Sequence, residues 1–149
     1  MKGLFAAVVL VFSLGAQAQE IDDRETVIAL AMGVLDEFML AFNARDIDRW
    51  ANTLNYPHVR FASGTVSVYE DADEFTDRPV FKMLSETGWE YSHWISRDVV
   101  LVSAGKVHIA TTFQRFNEDH EPIGTYESLY IVTLVDGHWG IQARSSLAP

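Results

Sequence analysis

Residues 123–146 read IGTYESLYIVTLVDGHWGIQARSS, and this stretch decides the fold. Two runs rich in β-branched and aromatic residues flank Asp136-Gly137, a dipeptide that tolerates positive φ and so makes a two-residue hairpin turn. Such a turn sets the register. Val135 opposes His138, Leu134 opposes Trp139 and Val132 opposes Ile141. Counted on without interruption, Tyr130 opposes Ala143 and Ser128 opposes Ser145. Tyr126, Ser128, Tyr130, Val132 and Ile141 then share the more aromatic face, the one suited to cover helices. Glu127, Leu129, Ile131 and Arg144 fall on the other.

Working outward, Trp89–Val102 and Val107–Phe116 have the same strand-like composition, broken by Ser103-Ala104-Gly105 and by Asn117–Pro122. Together with the hairpin they predict a four-stranded antiparallel meander. The N-terminal half differs. From Thr26 to Phe42, apolar residues recur at helical spacing (Val27, Ala31, Val34, Phe38, Phe42), widened by Leu30, Leu35 and Met39. So broad an apolar surface predicts a helix enclosed by other elements. Asp46 is placed to cap a short second helix carrying Ile47, Trp50, Ala51 and Leu54. Pro57 ends it. Strands are predicted at His58–Ala62 and Val66–Tyr69, then a helix over Asp71–Glu86 interrupted at Pro79. Helices first and a meander afterwards is an α+β pattern.

The 149 residues suit one domain; 48% are hydrophobic and 21% charged, a globular mix. The balance of 11 Lys+Arg against 21 Asp+Glu gives a net charge of −10, which argues against nucleic-acid binding. The absence of cysteine excludes disulfides, thiolate metal sites and cysteine nucleophiles. Met1–Gly3 with Lys2, the apolar run Leu4–Leu14 and the small residues Gly15-Ala16-Gln17-Ala18 read as a cleavable signal peptide over residues 1–18, cut between Ala18 and Gln19. Residues 19–149 would then form the mature domain, periplasmic or secreted, with no membrane segment after cleavage.

The helix junction Ala41–Asp46 (AFNARD) and the terminal hairpin Asp136–Ser146 (DGHWGIQARSS) resemble the nuclear transport factor 2-like superfamily, in its SnoaL-like branch. The resemblance covers roughly Glu25 to Pro149. It implies a curved antiparallel sheet wrapped around the long N-terminal helix, a cone or barrel with a pocket at its open end. It also implies a homodimer through the outer sheet face, where Leu129 and Ile131 sit. Members include isomerases, dehydratases, cyclases, epoxide hydrolases and proteins that only bind, so the fold leaves function open.

A pocket between the concave face and the short helices would be lined by Trp50, Phe113, Tyr126 and Ser128. These residue types also suit ordinary core. Arg60 shares strand parity with His58 and could hold a carboxylate-bearing ligand or pair with an acid. Arg115, in phase with Phe113, would suit an anionic ligand if it faces inward, or a solvated rim. In the wider superfamily a His or carboxylate on an early strand often works with a Tyr or Asp opposite. His58 is the candidate base or acid, Tyr56 the oxyanion donor and Asp98 a further general base. His58 and Tyr56 equally suit a strand-edge histidine and a tyrosine packed on Trp50. The carboxylate pair of the steroid isomerases has no match by motif. For the acid–arginine–acid arrangement of epoxide hydrolysis, Glu127 has the wrong parity beside Asp98 and Arg115. No cofactor is implied. His93, His108, His120 and His138 lack metal-ligand spacing, and no nucleotide or nucleophile-elbow motif occurs. Three readings stand. One is an exported domain binding a small, partly apolar molecule. Another is a cofactor-free lyase, isomerase or hydrolase built on His58 and Tyr56. The third is a dimerising interaction domain.

Overall fold

In the computed structural model, which describes residues 8–148 and side chains from Asp23 to Ala148, helix α1 spans Val8–Asn43. The expected leader, residues 1–18, lies outside the residues described at side-chain level. No helix among the described residues is long and apolar enough to cross a membrane. From Ala31 onward the 3.6-residue period brings Ala31, Leu35, Phe38, Met39 and Phe42 to one buried face, which rests on the sheet. Leu30 and Leu40 are 47% and 57% exposed on the far side, so the helix is covered on one flank and not enclosed as its composition suggested.

Asp46 caps α2 (Ile47–Ala51), its carboxylate accepting from the Arg49 amide. Strands β1 (Leu54–Ala62) and β2 (Thr65–Tyr69) form a hairpin. The expected helix over Asp71–Glu86 is two short ones, α3 (Ala72–Thr76), capped by Asp71, and α4 (Val80–Glu86). Pro79 separates them because the residue before a proline leaves the helical region. The meander follows as β3 (Tyr91–Ser103), β4 (Lys106–Phe116), β5 (Pro122–Val135) and β6 (His138–Ser146). The end of α1 is pinned to it by Asn43, whose amide donates to the Ser92 carbonyl and accepts from the Ser92 N–H, both at 2.9 Å.

The six strands form one curved, unclosed sheet in the order β2-β1-β6-β5-β4-β3. The sheet is not wholly antiparallel: β1 lies parallel to β6, a long-range pairing that no turn announces. Asp136 and Gly137 take φ of 50° and 82°, the two positive values a tight hairpin turn needs. Val135↔His138, Leu134↔Trp139 and Val132↔Ile141 pair as the turn dictates. Beyond them the register slips by one. Ile131 pairs with Ala143, Tyr130 with Arg144 and Ser128 with Ser146. Gln142 is the extra residue of this β-bulge. Its side chain bridges both neighbouring strands, donating to the Pro57 carbonyl and accepting from the Thr133 hydroxyl. The slip overturns the outward placement of Arg144, which lies on the concave face beside Tyr130.

The β1–β6 seam is seated by Asn55. Its amide donates to the Thr133 carbonyl at 2.8 Å and its oxygen accepts from His138 at 2.8 Å. Gly140 allows this approach, because a Cβ there would stand 2.9 Å from the Asn55 backbone nitrogen. Gly140→Ala is therefore expected to lower stability by about 2 kcal/mol through overpacking. Urea unfolding checks this, and an unchanged midpoint would refute the tight seam.

Candidate functional site

Helices α1, α2 and α4 and the concave face of the sheet enclose a cavity of about 480 Å³. Phe38, Phe42 and Trp50 form one wall and Phe113 and Tyr130 another, with the α4 side chains Val80, Met83 and Leu84 over the opening. Met83 is 61% exposed and marks the rim. Four arginines from different segments line the same space: Arg60 on β1, Arg78 just before α4, Arg115 on β4 and Arg144 on β6. Among the described residues no Asp or Glu lines it. By contrast, Arg45, Arg49 and Arg97 lie on the surface in ion pairs with Glu90, Glu37 and Asp36.

The cavity arginines lean on rings. The Arg78 guanidinium sits 4.0 Å from the Phe75 ring centre and 4.6 Å from that of Tyr69, with its Nε donating to the Phe75 carbonyl. Arg144 lies 5.2 Å from the Tyr130 ring and Arg115 lies 5.0 Å from that of Tyr126. Such contacts offset part of the cost of burying a cation, about 0.5–2 kcal/mol each. Burial pulls the pKa of Arg60, Arg78 and Arg115 below the usual arginine value. Repulsion from Arg144 adds to this in all three, while a nearby tyrosine (Tyr69, Tyr69 and Tyr126 respectively) acts the other way. Guanidinium basicity is high enough that all remain charged at neutral pH.

Of the residues expected to contact a ligand, Trp50, Arg60, Phe113 and Arg115 line the cavity, and Arg115 is only 8% exposed. Tyr126 stands at its edge, its ring folded back over Gly124, which leaves the space, and packed 5.5 Å from Phe113. Ser128 is buried and outside the lining. It donates to the Ser146 hydroxyl at 2.8 Å, and that oxygen also accepts from Arg144 Nη2 at 3.1 Å. Ser128 therefore positions Arg144.

The expected catalytic set does not converge. Tyr56 donates its hydroxyl to the Ala51 carbonyl at 3.1 Å, and burial pushes its pKa up to about 12. His58 is buried between Tyr69 and Phe75 and donates Nδ1–H to the Ile141 carbonyl at 2.9 Å. Neither residue lines the cavity. Asp98 is exposed on the outer face beside Ser96 and Glu127, because its cross-strand partner Ala110 follows the inward Ile109. This corrects the inward general base. Among the described residues no group of His, Asp and Glu is placed to hold a metal ion.

Arg78, Tyr69 and Arg144 were not read as site residues from the sequence. Arg144 was hidden by the bulge. Arg78-Pro79 was legible as a helix break, yet nothing local shows which way the arginine points.

A cone of this architecture with a pocket under its helices defines a class, the NTF2-like α+β domains. Residues 31–148 match the family described as NTF2-like protein (DUF6841), and the chain belongs to that family. No curated protein matches the chain. Among similar solved structures is a protein of unknown function with a cystatin-like fold from Nostoc punctiforme. It is 13% identical with a TM-score of 0.67, over 81% of this chain and 90% of that one. Another is an NTF2-like protein from Novosphingobium aromaticivorans, 11% identical with a TM-score of 0.68, over 91% and 87%. A third is hexachlorocyclohexane dehydrochlorinase LinA-type3 from Novosphingobium barchaimii, 15% identical with a TM-score of 0.65, over 83% and 87%. At these identities the likeness is one of fold.

His58 yields a pH prediction. Burial, with Arg144, Arg78 and Arg60 behind it, holds its pKa down to about 4 against the opposing pull of the Ile141 bond; the ordinary value is 6.5. Between those values the unfolded chain binds more protons than the folded one. The stability contribution is complete above pH 6.5 and is lost as pH falls toward 4, by about 3 kcal/mol. His58→Asn keeps an N–H donor without titrating. It should flatten the stability difference between pH 7.5 and 4.5 measured by urea unfolding. An undiminished difference would assign the effect to other groups.

Proposed function

We propose that this protein is an exported domain that binds a small, partly apolar molecule inside its cone. The observation that carries the reading is the 480 Å³ cavity walled by Phe38, Phe42, Trp50, Phe113 and Tyr130. Its size falls within the usual range for small-molecule sites, roughly 300–1,000 Å³. The scatter of Tyr56, His58 and Asp98 favours binding over chemistry by those groups. Export rests on the leader reading of residues 1–18.

The same proposal includes pairing of two copies through the outer sheet face. There Leu129 and Ile131 are half-buried, and Leu129 lies across from the small residues Ala110 and Ser145. Leu129→Asp should shift a dimer to monomer in sedimentation velocity; a monomeric wild-type protein would remove this part of the reading.

N-phenyl-1-naphthylamine, an uncharged fluorescent apolar probe, tests the cavity. One probe should bind per chain. Val80→Trp, which places an indole in the opening, should weaken binding at least tenfold while the melting temperature holds. Absence of binding, or equal binding to the variant, would overturn the proposal.

A further inference from the structure

We propose that the cavity selects an oxyanion, a carboxylate, sulfonate or phosphate group carried on an apolar body, and that Arg60, Arg78, Arg115 and Arg144 form its receptor. The inference rests on the binding reading above and adds the charge and head group of the ligand.

Three independent observations support it. The first is sign. A chain with 21 Asp+Glu against 11 Lys+Arg places four of its basic residues around one cavity and, among the described residues, none of its acids. Chance placement in such a chain would favour the opposite.

The second is adjacency. Arg60 and Arg144 are direct Cα partners on the parallel strands β1 and β6, and both line the cavity. Like charges directly opposite in a sheet destabilise it. Both side chains are half-buried, and withdrawing a charge from water without a counter-charge adds to that cost. An anion between the two reverses both effects.

The third is unmet hydrogen bonding. Among the described residues, five buried side-chain nitrogens lack a partner: Trp94 Nε1, outside the cavity lining, and four others, Arg78 Nη2, Arg115 Nε, Arg144 Nε and Trp50 Nε1. These four belong to cavity residues and all four are donors. A site offering donors and no carboxylate calls for a ligand that supplies acceptors. Guanidinium groups match oxyanions by paired N–H···O bonds. The aromatic walls take the apolar remainder, and the indole N–H of Trp50 reaches from that side.

The test uses three ligands of one shape on the purified full chain by calorimetry: 2-naphthoate, 2-naphthalenesulfonate and the uncharged 2-naphthylmethanol. The two anions should bind at least tenfold more tightly than the alcohol, and added sodium chloride should erode that advantage. Arg144→Met should abolish the advantage, bringing the two anions to the affinity of the alcohol. Arg115→Met, which does not touch the β1–β6 seam, provides the same readout should Arg144→Met fail to fold. Inorganic sulfate should raise the wild-type melting temperature more than sodium chloride of equal ionic strength, and the Arg144→Met melting temperature less. Equal affinity for alcohol and anions would overturn the anion receptor and leave the apolar cavity standing. No binding of any of the three would overturn both. Anion selectivity that survives in both variants would place the anion elsewhere and overturn this assignment.

Discussion

Strand β6 is held from both sides, by β5 running antiparallel and β1 running parallel, and the rest of the molecule depends on that double pairing. The two partners impose different demands. The tight turn at Asp136-Gly137 sets one register from the hairpin end, and the β1 seam sets another further along. Gln142 absorbs the mismatch as a bulge, its amide reaching one neighbour and accepting from the other. Beyond it every side chain of β6 exchanges faces. Arg144 is carried from the outer surface to the concave one, next to Arg60, and Ser146 is carried in beneath it to meet Ser128. A single inserted residue thus converts a surface ion-pair candidate into part of a half-buried cationic wall.

That wall is tolerable because of what surrounds it. The rings of Phe75, Tyr69, Tyr126 and Tyr130 lie within about cation–π range of the guanidinium groups and partly replace their hydration. They do not satisfy the N–H groups, which need acceptors. The cavity is therefore neither an ordinary apolar pocket nor a set of structural ion pairs. Arg45–Glu90 and Arg97–Asp36, 2.7 Å and 2.6 Å apart on the surface, show how the same chain pairs its arginines where only solubility and modest stabilisation are at stake.

The fold was largely legible in the sequence. Periodicity located the Thr26–Phe42 part of α1, the Asp136-Gly137 turn located the hairpin, and strand composition located the meander to within a few residues. Local signals fail where distant segments meet. The parallel β1–β6 pairing joins residues some 85 positions apart, such as Leu54 with Ile141, and no turn chemistry encodes it. The site was legible in inverse proportion to its dependence on that pairing. Phe113 and Arg115 lie on β4, whose register with β5 runs unbroken from Lys106 to Arg115, so parity counting puts both on one face, although it leaves Arg115 open between the pocket and a solvated rim. Arg144 depends on the seam and was assigned to the wrong face. Asp98 lies between two register shifts in β3, so counting from either end of the strand crosses one and no longer tells inside from outside.

His58 shows why residue type is a poor guide to chemistry in this fold. A histidine on an early strand has the right ordinary pKa for acid–base work. Here it is walled off by Tyr69 and Phe75, spends its Nδ1 proton on the Ile141 carbonyl, and lies within reach of three guanidinium fields that oppose its protonation. An imidazole held neutral at physiological pH and turned from the cavity serves the β1–β6 seam. Burial is the main reason His58 stays neutral, and the positive field of Arg144, Arg78 and Arg60 adds to it. The packing of β1 against β6 both buries the imidazole and sets the Arg60 and Arg144 charges side by side at the cavity.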